Sequence, residues 1–222
     1  HVLPPLEVEM ATLVAQELRN LGVHVHAGVA AQSITHGDDH DSVTLSDGTE
    51  LSADVIVLST GVRPDTAFAE AAGIETSRGY ILVDEHGRTS ADDVYAVGDG
   101  TIGRDRDRPV ALAGPANRGG RLVADAIADA EHGEATARPI PRPQGTAIVR
   151  IGSLTAAMTG ANRQTLDASG IQYFTVHTHA NQHAGYFPGA QPVHILMHVG
   201  TDGAILGAQA VGADGVDRRI DV

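Results

Sequence analysis

The chain has 222 residues, enough for one large or two small domains, and its 42% hydrophobic and 19% charged content is that of an ordinary soluble globular protein. No apolar run approaches the roughly 20 residues of a membrane span, and a formal charge of −13 repels nucleic acid, so neither a membrane nor a nucleic acid is an expected partner. There is no cysteine, which excludes a disulfide framework, a thiolate nucleophile and a cysteine metal site within this chain, and the acidic net charge gives no long-range help with an anionic ligand, so any phosphate has to be held by local groups.

Residues 8–21 carry Ala11, Val14, Ala15, Leu18 and Leu21 at helical spacing, with Glu7 and Glu9 at the entry and Gly22 as the stop. Residues 23–26 alternate and predict a strand, and residues 29–35 predict a second. Residues 42–45 and the stretch from Leu51 flank Asp47-Gly48, a hairpin signal. D-V-I-V-L-S, residues 54–59, has the pattern of a buried strand. Gly61-Val62-Arg63-Pro64-Asp65 has turn composition. A short helix follows over residues 67–72, stopped by Gly73. Residues 80–83 and Arg88-Thr89 flank the turn Asp84-Glu85-His86-Gly87.

V-Y-A-V, residues 94–97, predicts another buried strand. It runs into Gly98, which lets backbone come close to a ligand, and Asp99, expected at the carboxyl end of that strand, where open α/β sheets bind ligands. A carboxylate there accepts hydrogen bonds from the hydroxyls of a sugar or polyol. R-D-R-D-R, residues 104–108, reads as a solvated loop. Leu112-Ala113-Gly114-Pro115 opens a helix over residues 115–131, and its N-terminus offers N–H groups and partial positive charge to an anion. Residues 134–144, with Pro139, Pro141 and Pro143, form a linker. Beyond it residues 145–151, 171–179, 193–199 and 204–211 predict strands, with a short helix between 159 and 169 stopped by Gly170. His177 and His179 share a strand face but lack a carboxylate at close spacing, so no metal set is expected. His194 and His198 also share a face, read as surface or interface.

The stretch T-x(5)-Y-A-x-G-D, from Thr89 to Asp99, resembles the second flavin motif of the pyridine nucleotide-disulfide oxidoreductases. Gly61 to Asp65 resembles that family's G-x-R-P-N crossover, with Asp65 in place of Asn. Three stretches are similar to the coenzyme A-disulfide and coenzyme A-persulfide reductase branch: P-V-A-L-A-G-P-A-N-R-G-G-R from Pro109, H-A-G-Y-F-P-G-A from His183, and G-V-D-R-R-I-D from Gly215. Phe187 stands where the family has a second Tyr, and Arg218 where it has Lys.

The resemblance implies an α/β fold: a partial two-dinucleotide-binding-domain flavoprotein plus an α+β dimerisation domain. Residues 1–60 would be the C-terminal half of the NAD(P)H-binding domain, 61–140 the second segment of the FAD-binding domain, and 141–222 a truncated dimerisation domain. The chain is therefore expected to be a C-terminal fragment, since no G-x-G-x-x-G appears in it. The implied cofactors are FAD and NAD(P)H, and the implied cofactor-binding residues are Gly98, Asp99, Leu112, Ala113 and Gly114. Tyr186 matches a tyrosine that reaches across the homodimer towards a cysteine and a coenzyme A-linked sulfur substrate. A cytoplasmic enzyme passing electrons from NAD(P)H through FAD to a coenzyme A disulfide or persulfide is the function implied. An NADH oxidase or peroxidase is the alternative, and the fragment by itself reads as a non-catalytic dimerisation module. A turn or helix-cap role for Asp99, and loop anchoring for Tyr186, are the plainer structural explanations of the same residues.

Overall fold

The structure is a computed structural model that describes residues 1–106 and 108–220. In chain order its elements are α1 (Val8–Asn20), β1 (Ala31–Thr35), β2 (Asp41–Leu45), β3 (Glu50–Ala53), α2 (Ala67–Ala71), β4 (Thr76–Ser77), β5 (Tyr80–Val83), β6 (Thr101–Gly103), α3 (Ala113–His132), β7 (Ala147–Ile151), β8 (Leu154–Gly160), α4 (Arg163–Ala168), β9 (Tyr173–Asn181), β10 (Pro192–Gly200), β11 (Ile205–Gly212) and α5 (Asp217–Ile220). They form two compact units, one of His1–Thr60 with Thr146–Val222 and one of Gly61–Gly145.

The first unit is built on an antiparallel five-stranded sheet in the order β7-β8-β11-β10-β9. Because side chains alternate across a strand, neighbouring residues serve opposite faces. Ala156, Leu196 and Val211 pack with Leu6, Met10, Ala11 and Val14 on the α1 side. Ala157, Val193 and Ala210 pack with Val216 and Ile220 of the α5 segment. The periodic stripe predicted for α1 is thus the stripe that meets the sheet.

Polar contacts pin the same junction. Glu7, expected in the first helical turn, is the buried N-cap position of α1. Its N–H donates to Gln209 Oε1 at 2.7 Å. Its carboxylate accepts from the Arg163 N–H at 2.7 Å and lies 3.1 Å from His198 Nε2. The His198 Nδ1 is 3.0 Å from Thr175 Oγ1. His198 is 0% exposed, so the surface reading of that residue is corrected. Its strand is covered by α1, and a carboxylate and a hydroxyl satisfy its ring nitrogens, which is how a polar ring is accommodated in a core.

The D-G signal is realised in the three-stranded sheet β1-β2-β3, where Asp47 Oδ1 accepts from the Thr49 N–H at 3.0 Å. That bond holds the carboxyl of Asp47 below the ordinary value. Residues 23–26 and 54–59 are not strands, contrary to the pattern. No described strand pairs with either, and a strand exists only through its ladder. The apolar side chains of the second stretch stay open: Val55, Val57 and Leu58 are 77%, 81% and 72% exposed.

In the second unit β4-β5-β6 form a small sheet, antiparallel then parallel. Ala69, Ile81 and Val83 make its core, with Ile74 and Ala96 against them. One face of α3 buries Leu122, Val123 and Ala126. At its end Asp129 turns back to accept from the Ala137 and Thr136 N–H groups and the Thr136 hydroxyl. This ties the start of the proline-rich linker and holds the Asp129 carboxyl below its usual range, the Ala137 bond contributing most. The expected loop at residues 104–108 includes Asp107, which lies outside the described residues, as do Asp221, the end of the last sequence motif, and Val222.

Candidate functional site

Thr89 organises the approach to the Gly98-Asp99 turn. Its N–H and hydroxyl both donate to the Val94 carbonyl, at 3.0 and 2.9 Å, and its Oγ1 accepts from the Ala91 N–H at 3.2 Å. The chain then runs extended, but residues 94–97 are not the buried strand expected. Only Tyr95 makes a bridge, to Arg88, and Val94 and Val97 are 38% and 44% exposed. With one bridging partner on one side, an apolar quartet gains neither a ladder nor two covered faces.

Asp99 accordingly lies in a turn that enters β6, after an extended segment and not at a strand's carboxyl end. The Thr101 N–H and hydroxyl close that turn on the Gly98 carbonyl, at 3.1 and 2.8 Å. Gly98 is at φ 95°, a left-handed conformation that side chains other than glycine's adopt only with strain. An added Cβ there would sit 3.9 Å from the Ala116 Cβ, so Gly98 lies against the first turn of α3. The contact is tighter one turn on. A Cβ at Gly119 would come within 2.8 Å of Val97 Cγ2, and one at Gly87 within 2.5 Å of Val123 Cγ2. Glycine lets the helix settle on the extended segment and so aims its N-terminus beside the Gly98-Asp99 turn.

Leu112 is the N-cap, in extended conformation, with no side-chain cap and no acidic residue in the first turn. Pro115 carries no N–H, so Ala113 and Gly114 supply the leading donors. Ala113 and Gly114 are both exposed, and a Cβ at Gly114 would meet nothing within 4 Å. Among the described residues the Asp99 carboxylate has no hydrogen-bond or ion-pair partner, and the residue is exposed. Gly98 thus lies beside the first turn of α3, whose uncapped start is formed by Leu112, Ala113 and Gly114, and the Asp99 carboxylate next to Gly98 is open. That is a donor and acceptor set fitting a ligand with both hydroxyls and an electron-rich edge, as a flavin with its ribityl chain has.

Tyr186 lies in the other unit, on the loop between β9 and β10, and is 84% exposed. Its ring stacks at a tilt on Phe187 with centroids 4.9 Å apart, and Phe187 meets His183 edge-on at 6.3 Å. The base of the loop is closed by Gln182, whose N–H donates to the Gln191 carbonyl at 3.0 Å and whose Nε2 donates to the Gly189 carbonyl at 3.0 Å. Sequence reasoning did not find this closure, whose acceptors are main-chain carbonyls, nor the Glu7–His198 contact, whose partners lie 191 residues apart. His179 faces His194 across the ladder, Nδ1 to Nδ1 at 2.8 Å. Burial chiefly, and His179 secondarily, push His194 below its ordinary value. His194 also lines a cavity of about 310 Å³ with Glu17, Ser153 and Gln191, which contains none of the sequence-predicted site residues. No group of three or more metal-ligating side chains occurs among the described residues, and no helix of the described residues is long and apolar enough to cross a membrane.

The mixed α/β architecture resembles that of a nicotinamide nucleotide-dependent reductase of known structure. Residues 1–130 match the family described as pyridine nucleotide-disulphide oxidoreductase, and the chain belongs to that family, whose members work with FAD and NAD(P)H. It is 30% identical over 228 residues to an NADH oxidase of Methanocaldococcus jannaschii, covering 100% of this chain and 49% of that protein. It is 32% identical over 188 residues to a coenzyme A disulfide reductase of Staphylococcus aureus, covering 82% and 41%. The solved structure of an NAD-dependent persulfide reductase from A. fulgidus superposes with a TM-score of 0.92 at 33% identity, covering 100% of this chain and 41% of that one. The chain thus spans about half or less of the length of these relatives.

Proposed function

We propose that this chain is part of a cytoplasmic flavoenzyme that carries electrons from NAD(P)H through FAD to a coenzyme A disulfide, a coenzyme A persulfide or a related sulfur compound. The observation that carries the flavin part is the meeting of the Gly98-Asp99 turn with the uncapped start of α3. Asp99 would accept from the ribityl hydroxyls, Gly98 would let backbone approach, and the Ala113 and Gly114 N–H groups would face the flavin's electron-rich edge, with Leu112 setting the helix entry. FAD bound there supplies a two-electron relay between hydride donor and sulfur.

The sulfur branch is supported by the 183–190 and 215–221 stretches and by relatives named for coenzyme A disulfide and persulfide. Reducing a disulfide to two thiols takes two electrons and two protons. Tyr186, held out on its loop, would serve a partner protomer in a homodimer by hydrogen bonding or proton donation to the departing sulfur. Residues 1–60 would belong to the nicotinamide nucleotide domain, 61–140 to the flavin domain and 141–222 to the dimer interface. The second reading, an oxygen- or peroxide-reducing NADH oxidase, is supported by a relative of that name that matches over the length of the chain.

The test is a spectrum of the longer protein containing these residues. Flavin absorbance bleached by NADH or NADPH and restored by coenzyme A disulfide is the expected result. Restoration by oxygen or peroxide alone selects the oxidase reading, and a colourless protein that still dimerises overturns both in favour of a purely structural module.

A further inference from the structure

Arg219 is not one of the residues the sequence resemblance assigns to the site, yet it ties the last motif to the residue that immediately precedes the 183–190 stretch. Its Nη2 donates to the Gln182 carbonyl at 2.6 Å and its Nη1 to the Gly215 carbonyl, also at 2.6 Å. Gln182 is the residue that closes the loop carrying Tyr186. Within residues 183–190 the only backbone bond among the described residues is Phe187 N–H to the Ala184 carbonyl at 3.0 Å, and the Tyr186 hydroxyl has no partner there. Apart from the ring contacts among His183, Tyr186 and Phe187, the loop is held from its base, by Gln182 and by what fixes Gln182.

The fixing point is firm. Arg219 stands on α5, whose Ile220 and the preceding Val216 are 6% and 1% exposed in the sheet's second core cluster. Gly215, at φ 72°, makes the approach possible, since a Cβ there would lie 2.8 Å from Arg219 Nη1 and 3.2 Å from Gln182 Cβ. A guanidinium fork reaches two carbonyls at once, which a lysine ammonium on a single stem does less well. We propose that Arg219 is the positioning residue for Tyr186, bracing the 182–191 loop against the sheet core so that the tyrosine is presented to the sulfur substrate. This rests on the reading of Tyr186 given above.

The experiment is a double-mutant cycle in the full-length flavoenzyme, with coenzyme A disulfide as the probe and hydrogen exchange as a second readout. Arg219→Ala is expected to lower kcat by about tenfold to a hundredfold, the cost of misplacing a reacting group. Reduction of the flavin by nicotinamide nucleotide stays unchanged, and the hydrogen-bonded amides of the loop, those of Gln182, Phe187 and Gln191, exchange faster. Tyr186→Phe lowers kcat alone, and adding Arg219→Ala to it lowers kcat no further, because the arginine acts through the tyrosine. Should Arg219→Ala not fold, Arg219→Lys keeps the charge, loses the fork and is read in the same cycle. Multiplying losses in the double variant, or unchanged exchange in the loop, would overturn the inference. If Tyr186→Phe leaves turnover intact, the tyrosine's role fails, and the exchange data still decide whether Arg219 holds the loop.

Discussion

β10 and residues 54–59 have similar apolar sequences, V-H-I-L-M-H-V against D-V-I-V-L-S, and opposite surroundings within one compact unit. β10 is laddered to β9 on one side and β11 on the other, and Val193 and Leu196 are 1% and 0% exposed. Residues 54–59 have no ladder, although β3 pairs with β2 up to Ala53. Burial of an apolar side chain is worth about 25 cal/mol per Å² only when something covers it. The two stretches show that an apolar run is an offer of surface, and that its structure is decided by which partners accept.

Substitutions can break this contrast at its strong end. Leu196→Ala removes a side chain with no exposure from the α1 face and should cost about 2–5 kcal/mol in chemical denaturation. Glu7→Ala leaves the Arg163 N–H and the His198 ring without their buried acceptor and should cost about 2–4 kcal/mol. A loss under about 0.5 kcal/mol in either would mean that α1 does not sit on the sheet. Gly119→Ala drives a methyl into Val97 and should lower stability by about 1–3 kcal/mol, read as a lower midpoint.

Acid titration probes a smaller effect. The Asp129 carboxyl lies below its ordinary value because it accepts from Ala137 and Thr136. A carboxyl lowered in the folded state adds stability that is complete above the unfolded value, about 4, and is lost as pH falls through the folded one. Asp129→Asn should therefore flatten the stability curve below about pH 4 and leave its shape unchanged near neutrality. The smallest effect sharpens the contrast most. Val57→Thr should change the stability of the 222-residue chain by less than about 0.5 kcal/mol, since the side chain is exposed. In a longer polypeptide that covers residues 54–59 the same change should cost about 1 kcal/mol or more. Equal costs in both would show that nothing packs there.

The parts of the fold legible in the sequence were those with local causes. The stripe of α1, the glycine stops after α1 and α4, the Asp47-Gly48 turn and the alternation in β9, β10 and β11 are all short-range signals. β8, L-T-A-A-M-T-G, escaped because small residues in its middle carry no strong strand preference, and it is defined by its neighbours β7 and β11. β4 and β6 are too short to leave a pattern. Of the candidate site, the residues around Gly98 and the start of α3 were marked by the resemblance to a family motif, whereas the Arg219 brace carried no such mark. Its acceptors are main-chain carbonyls, which no side-chain code announces.

The bond from the Glu7 N–H to Gln209 spans 202 residues of chain, and the cluster around Leu6 and Met10 closes over Leu196 and Val211. Contacts this remote in sequence form late, because closing so long a loop costs entropy before any packing is gained. At ribosomal speeds of about 5–20 residues per second, α1 leaves the tunnel about ten seconds or more before the strands it rests on. For that interval its apolar stripe lacks the sheet it packs on, and a helix made early is among the last to be housed.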